Sequence, residues 1–254
     1  MVGRARICLR PAHLTQHQYI QATHPPIPTS ALAQRINAYA RAHLPEPTYK
    51  HSLRVCHYGL AIKRYRFPHA DWDFSNETYS LAYVLHDIGT TDENLHKTHM
   101  SFEFYGGFLA LEVLQDGDGG TPREQGESVA EAIIRHQDLC DTEEDYRVGA
   151  IAAAGDDLWY VFLSCLVFLS PVPGYLDNCY NSWRIDNTGT YADLVHSDSI
   201  KVVSAHFPRH HWSQCFASTI HRENGLKPWA HTTALGEEAF PAKVLGNKLM
   251  EPFE

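Results

Sequence analysis

Residues 83–94 read YVLHDIGTTDEN. A histidine and an aspartate, His86 and Asp87, stand side by side at the end of an apolar run. A glycine and two threonines follow at once. An adjacent polar pair in apolar text is either the capped end of a helix or part of a metal site. As a helix end, the segment would run from a Ser75 or Asn76 cap to Gly89, a common C-terminal residue. As a metal site, neighbouring helical residues point about 100° apart, so both side chains reach one ion only if it lies off the helix flank. Further ligands must then come from other helices.

The surrounding text supplies such helices. Apolar positions recur at helical spacing over 29–44, with Thr29 or Ser30 as cap, and Pro45 and Pro47 close that segment. Helices are also expected over 48–65, capped by Thr48, and over 75–89, 100–115 and 122–138. Helix-and-turn text resumes at 190–212 and a turn-rich tail follows. Strand-like alternation is nearly absent, so the expected fold class is all-α. Residues 1–27, with prolines at 11, 25 and 26, read as a poorly ordered leader. Residues 28–254 read as one helical domain.

Composition bounds the chemistry. The 254-residue chain carries 21 basic and 30 acidic side chains, a formal net charge of −9. With no Lys/Arg block, nucleic acid and anionic membranes are poor partners, and a small neutral substrate is favoured. The apolar run at 158–170 is shorter than the roughly 20 residues that span a bilayer. Six cysteines without CxxC pairs suit free thiols in a reducing compartment, so a cytoplasmic location is expected. Neither a GxSxG elbow, a GxxxxGK[ST] loop nor a GxGxxG after a strand is found.

The 17 histidines make chance pairs common. Three nevertheless fall on separate expected helices: His51, His86 beside Asp87, and His136 in IIRHQD. Imidazoles with a carboxylate suit Zn²⁺, with Fe²⁺ or Mn²⁺ as alternatives.

The order His51, His86-Asp87, His136 and a later aspartate resembles the HD-domain superfamily of all-α metal-dependent hydrolases. LPEPTYKHSLRV, LHDIGTT, MSFEFYGG, AEAIIRHQD, FPRHHW and LKPWAHTT, in that order, are similar to its cyanamide hydratase branch. The resemblance covers about 28–155 and 185–254. It implies that His51, His86 and Asp87 hold one zinc, that a later aspartate is the fourth ligand, and that His136 acts in the pocket as a base or orienting group. Where many phosphohydrolases of the superfamily place a phosphate-binding lysine, this chain has Thr90. Thr90 and Thr91 are the candidate substrate contacts.

At the spacing implied for the fourth ligand stands Trp159. Asp186 in RIDNTG is the favoured substitute, with Asp177 as the alternative. Residues around 156–184 then read as extra sequence, either translated intron or a surface insertion. SFEFYGG is expected to serve helix packing, and KPWAHTT to close over the pocket. The implied activity is hydration of cyanamide or a similar small nitrile to urea. An HD-type phosphohydrolase acting on a nucleotide and a catalytically impaired HD-fold binding protein are the alternatives. A homo-oligomer is compatible with either.

Overall fold

The computed structural model describes residues 27–66, 75–117, 120–137, 177–190 and 192–254. In chain order they form α1 (Ala31–His43), α2 (Glu46–Arg66), α3 (Asn76–Leu85), α4 (Asp92–Lys97) and α5 (Phe102–Gln115). There follow α6 (Arg123–Arg135), α7 (Asp177–Thr188), α8 (Ser197–His206), α9 (Trp212–Leu226) and α10 (Ala239–Leu245). Short 3-10 turns lie at Ile88–Thr90, Ala192–Leu194, His231–Leu235 and Glu251–Phe253. No strand occurs among the described residues, so the all-α expectation holds.

α2 is the axis of the fold. Every residue from His51 to Gly59 is buried, so this stretch is covered on all sides. α1, α3, α7, α8 and α9 pack around it, and α5 and α6 form a pair on the far side of α3. The interior divides into an aliphatic group, including Ile36, Leu53, Ile62, Leu85, Ile133, Ile185 and Val203, and an aromatic one of Tyr79, Tyr83, Phe102, Trp183, Trp212, Phe216 and Phe240. α2 feeds both, through Leu53 and Tyr58 to the first and Val55 and Cys56 to the second.

The caps follow sequence chemistry. Ser30 accepts from the Ala33 amide at 3.2 Å, and Ser75 from the Thr78 amide at 3.1 Å. α2 begins earlier than expected, at Glu46, which tolerates Pro47 because the first turn has no amide bond to lose. The expected 75–89 helix stops at Leu85, α4 is an additional short helix, α9 fills most of the stretch between 212 and the tail, and the turn-rich tail contains α10.

Gly89 corrects the helix-capping expectation. It has no positive φ, so it is not a left-handed C-terminal glycine. A Cβ there would stand 2.1 Å from the Phe102 carbonyl oxygen and 3.1 Å from the Gly106 nitrogen. Its role is close backbone packing of the post-HD turn on α5. A positive-φ glycine that does end a helix is Gly189, at φ 73°, whose amide donates to the Ile185 carbonyl at 3.2 Å at the end of α7. SFEFYGG packs as expected: a Cβ on Gly107 would meet Ile134 at 2.5 Å and the Ala130 carbonyl at 2.8 Å.

Residues 177–184, the last part of the expected insert, lie in α7, where Ser182 and Trp183 are buried in the core. They therefore belong to the helical framework. Residues 156–176, including the 158–170 run, and residues 1–26 of the expected leader lie outside the described residues. Cys56 and Cys215 are free thiols, and no helix of the described residues is long and apolar enough to cross a membrane.

Gly89→Ala is expected to cost about 1–3 kcal/mol by overpacking. Gly225→Ala, at a helical position with nothing within 4 Å of the added Cβ, is expected to be neutral or to stabilise by about 0.4–1 kcal/mol. Urea unfolding of both variants measures the contrast.

Candidate metal centre

α3 is capped by His86, which keeps helical backbone angles, and Asp87 turns away at φ −100° and ψ 14°. This break lets two adjacent side chains point to one spot. The break is held by Thr90, whose hydroxyl donates to the Asp87 carbonyl at 2.7 Å, and by Asn94, whose amide donates to the Ile88 carbonyl at 2.8 Å. Thr91 caps α4 by accepting from the Asn94 amide at 3.2 Å. Both threonines expected as substrate contacts thus have hydroxyls engaged with backbone.

Three imidazoles converge here in one tautomer. His51 Nδ1–H donates to Asp186 Oδ2 at 2.6 Å, His86 Nδ1–H to the Tyr83 carbonyl at 2.7 Å, and His136 Nδ1–H to the Ile133 carbonyl at 2.6 Å. A carbonyl or carboxylate only accepts, so each Nδ1 carries the proton and each Nε2 presents a lone pair. Asp87 Oδ2 lies 3.7 Å from His51 Nε2 and 3.2 Å from His86 Nε2, and Asp87 Oδ1 lies 3.7 Å from His136 Nε2. These three Nε2 atoms and both Asp87 oxygens are buried and have no hydrogen-bond partner.

A cluster of buried, unpartnered acceptors is costly unless a cation joins them. The ligand atoms of His51, His86 and Asp87 all lie within 4.8 Å of one another, close enough to share a metal ion. The residues fit a divalent cation with nitrogen and oxygen ligands. His136 stands at its edge, its ring T-shaped against His86 at 5.1 Å between centroids.

The charges agree. Burial pushes His51 down to about 4, and burial with His86 pushes His136 down to about 3, so both stay neutral. His86 is raised, because Asp87 outweighs the effect of burial. Burial works against the Asp87 carboxylate, but His86 and His51 outweigh it and hold it near 2. The pair therefore favours one added positive charge, a proton or a metal cation.

Asp186 does not meet these atoms directly. It sits behind His51 on α7, fully buried. Its Oδ1 accepts from Arg54 Nε at 2.9 Å and Arg209 Nη1 at 2.8 Å, and its Oδ2 accepts from Arg54 Nη2 at 2.9 Å and from His51. Burial opposes ionisation, but the two guanidiniums outweigh it and hold Asp186 well below the ordinary carboxylate range. In this structure its place is beside His51 Nδ1, in contrast to the expected fourth-ligand position. Asp177 opens α7, more than two turns away from Asp186.

Arg54 and Arg209 carry no expected role in the sequence, yet they shape the site. The available signal was the i, i+3 spacing of His51 and Arg54, which places both on one helix face. FPRHHW supplies the rest. The Phe207 and Pro208 carbonyls accept from Arg54 Nη1 at 3.1 and 3.2 Å. His210 and His211 take left-handed φ values of 50° and 58°, turning the chain so that Arg209 and Trp212 both point inward. Trp212 stacks on His51 at 4.1 Å and donates to Asn187 Oδ1 at 2.7 Å.

KPWAHTT does not close over this centre. Trp229 is 60% exposed and donates to the His99 carbonyl at 2.9 Å. The segment instead docks on the start of α5. Lys227 donates to the Met100 carbonyl at 2.7 Å, the His231 amide to Ser101 Oγ at 2.8 Å, and Glu223 Oε1 accepts from the Phe102 amide at 2.6 Å. Burial, reinforced by nearby Glu103, pushes Glu223 up to about 7.

Removing one partner of a buried ion pair leaves the other charge uncompensated. Arg54→Met is expected to lower the unfolding free energy by about 3–5 kcal/mol. Arg123→Ala, which breaks the exposed and solvent-screened Arg123–Glu127 pair, is expected to leave it nearly unchanged. Denaturant titration of the two variants tests the difference.

No protein-family model matches the chain. Two curated proteins of Saccharomyces cerevisiae, cyanamide hydratase DDI2 and cyanamide hydratase DDI3, are each 38% identical to it over 222 residues. Each alignment covers 87% of this chain and 85% of the yeast protein. Likeness of this extent, over a sequence that brings His51, His86, Asp87 and His136 to one buried point, places the chain in the cyanamide hydratase family.

Proposed function

We propose that the protein is a metal-dependent hydratase that adds water across the C≡N bond of cyanamide, or of a similarly small nitrile, to give urea. The observation that carries this reading is the set of unpartnered acceptors, three Nε2 atoms and the Asp87 carboxylate, buried together. The names of the yeast relatives supply the substrate. His51, His86 and Asp87 would hold the ion. Zinc suits the mixed imidazole and carboxylate donors, with Fe²⁺ or Mn²⁺ as less favoured occupants. A bound zinc would supply Lewis acidity, which polarises a nitrile and acidifies water.

The protein's own groups handle the protons. Hydration moves one proton from water to the nitrile nitrogen and then a second as the imidic acid becomes the amide. His136 suits both transfers. Its Nδ1 is tied to Ile133, so Nε2 is the free acceptor, and the ring is neutral because burial holds it near 3. Asp87 Oδ1, 3.7 Å away, stabilises the imidazolium formed when Nε2 takes a proton. Phe102 and Trp183, with ring centroids 5.9 and 6.2 Å from that of His136, wall this side with apolar surface.

Phosphate chemistry finds less support. Thr90 stands where a lysine would meet phosphate, and its hydroxyl is already bonded to the Asp87 carbonyl. With a net charge of −9, a small neutral substrate suits the chain better than a nucleotide.

His136→Ala is expected to keep its metal and lose about 10²–10⁴-fold in turnover, the usual contribution of a proton-transfer group. His86→Ala and Asp87→Ala are expected to lose the metal. Urea release from cyanamide and elemental analysis of the same samples separate the two effects. Full turnover by metal-free protein would sink the reading.

A further inference from the structure

We propose that Glu103 and Glu223 form a second ionisable site, separate from the metal centre, in which two buried carboxylates hold one proton between them and so latch the end of α9 to the start of α5.

Both side chains are fully buried. Glu223 Oε1 accepts from the Phe102 amide at 2.6 Å, and Oε2 from Thr232 Oγ1 at 3.3 Å. Glu103 is the next residue of α5. Neither of its oxygens has a hydrogen-bond partner among the described residues, and Oε1 stands 3.5 Å from His231 Nδ1. A buried carboxylate without a donor is costly in its charged form.

Charge counting leads to the same place. The charged or titratable groups that face the pair are Lys227, one turn beyond Glu223 and 3.7 Å from its Oε1, and His231, from the 3-10 turn that follows. Lys227 offsets one carboxylate, and the other is left for a proton. Burial, then Glu103, push Glu223 up to about 7, against the pull of the Phe102 amide and Lys227. Two carboxyls coupled in this way titrate as a pair.

The direction of the pH effect follows. Glutamate ordinarily titrates near 4.5, so the folded chain holds this proton where the unfolded chain has lost it. The latch is complete at acid pH and is lost as pH rises through about 7. Release leaves two like charges beneath the seat of the 227–232 segment, where Lys227 donates to the Met100 carbonyl and the His231 amide to Ser101 Oγ. The ring of Phe102 lies 5.9 Å from that of His136, so the latch borders the metal centre without belonging to it.

Glu103→Gln tests the shared proton, because it removes one charge at almost constant volume. Measured against the variant at each pH, the parent is expected to lose stability to urea between about pH 6 and about pH 8.5. The expected loss is about tenfold in the unfolding constant, the effect of one proton over one pH unit. The comparison cancels the acid-side titration of His51 and His136, which both chains share. Infrared difference spectra of the parent between the same pH values are expected to lose a protonated carboxyl stretch that the variant lacks. Equal pH dependence in the two chains would overturn the proposal. So would a pH effect without the carboxyl band, which would put the proton on His231. Should the variant fail to fold, the parent's band decides, and its absence at about pH 6 overturns the shared proton. Neither measurement depends on a bound metal, so failure of the metal reading is a separate outcome.

Discussion

The buried charge of Asp186 organises this molecule. An ionised carboxylate in the interior costs several kcal/mol unless it is matched in charge and hydrogen bonding. The fold meets that demand from three directions: Arg54 and His51 on α2, and Arg209 from the turn between α8 and α9. Meeting it explains several local features together. α2 is buried through its middle because both its faces carry site residues. Two consecutive histidines accept left-handed backbone angles, each costing about 1–2 kcal/mol, because the turn must deliver Arg209 and Trp212 to the same place.

From that ion group the site follows by hydrogen-bond logic. Each imidazole is tied at Nδ1 by a group that can only accept, and each is left with a lone pair facing inward. The three outer acceptors differ in kind. His86 and His136 are tied to carbonyls three residues earlier on their own helices, so helix geometry sets their rings. His51 is tied to a side chain 135 residues away, so only the tertiary fold can set it. The centre therefore combines two locally formed donors with one that appears when α7 docks on α2.

This difference also accounts for what the sequence disclosed. The helical class, the Ser30 and Ser75 caps and the grouping of His51, His86, Asp87 and His136 rest on periodicity, cap chemistry and motif order, which are local or ordered along the chain. The hydrogen bonds of Asp186 depend on tertiary neighbours, two arginines 132 and 23 residues away. Gly89 misled for a similar reason. A glycine after a helix suggests a left-handed cap, and only the approach of α5 reveals that it is there for lack of a side chain. Residues 177–184 looked foreign because their Tyr/Asn/Trp-rich text has no amphipathic stripe, yet Trp183 packs between aromatic rings from several elements.

The backbone of Phe102 is held on both sides. Its carbonyl lies where any side chain on Gly89 would have to go, and the Phe102 amide is gripped by Glu223 of α9. The HD turn and the KPWAHTT segment share no side-chain chemistry, yet both take their position from this short stretch of backbone. It works as a spacer between two distant parts of the chain. Drift in homologous sequences at Glu223 or Lys227 would thus register as a displaced His86–Asp87 pair rather than as a local surface change, and the two motifs are expected to diverge in step.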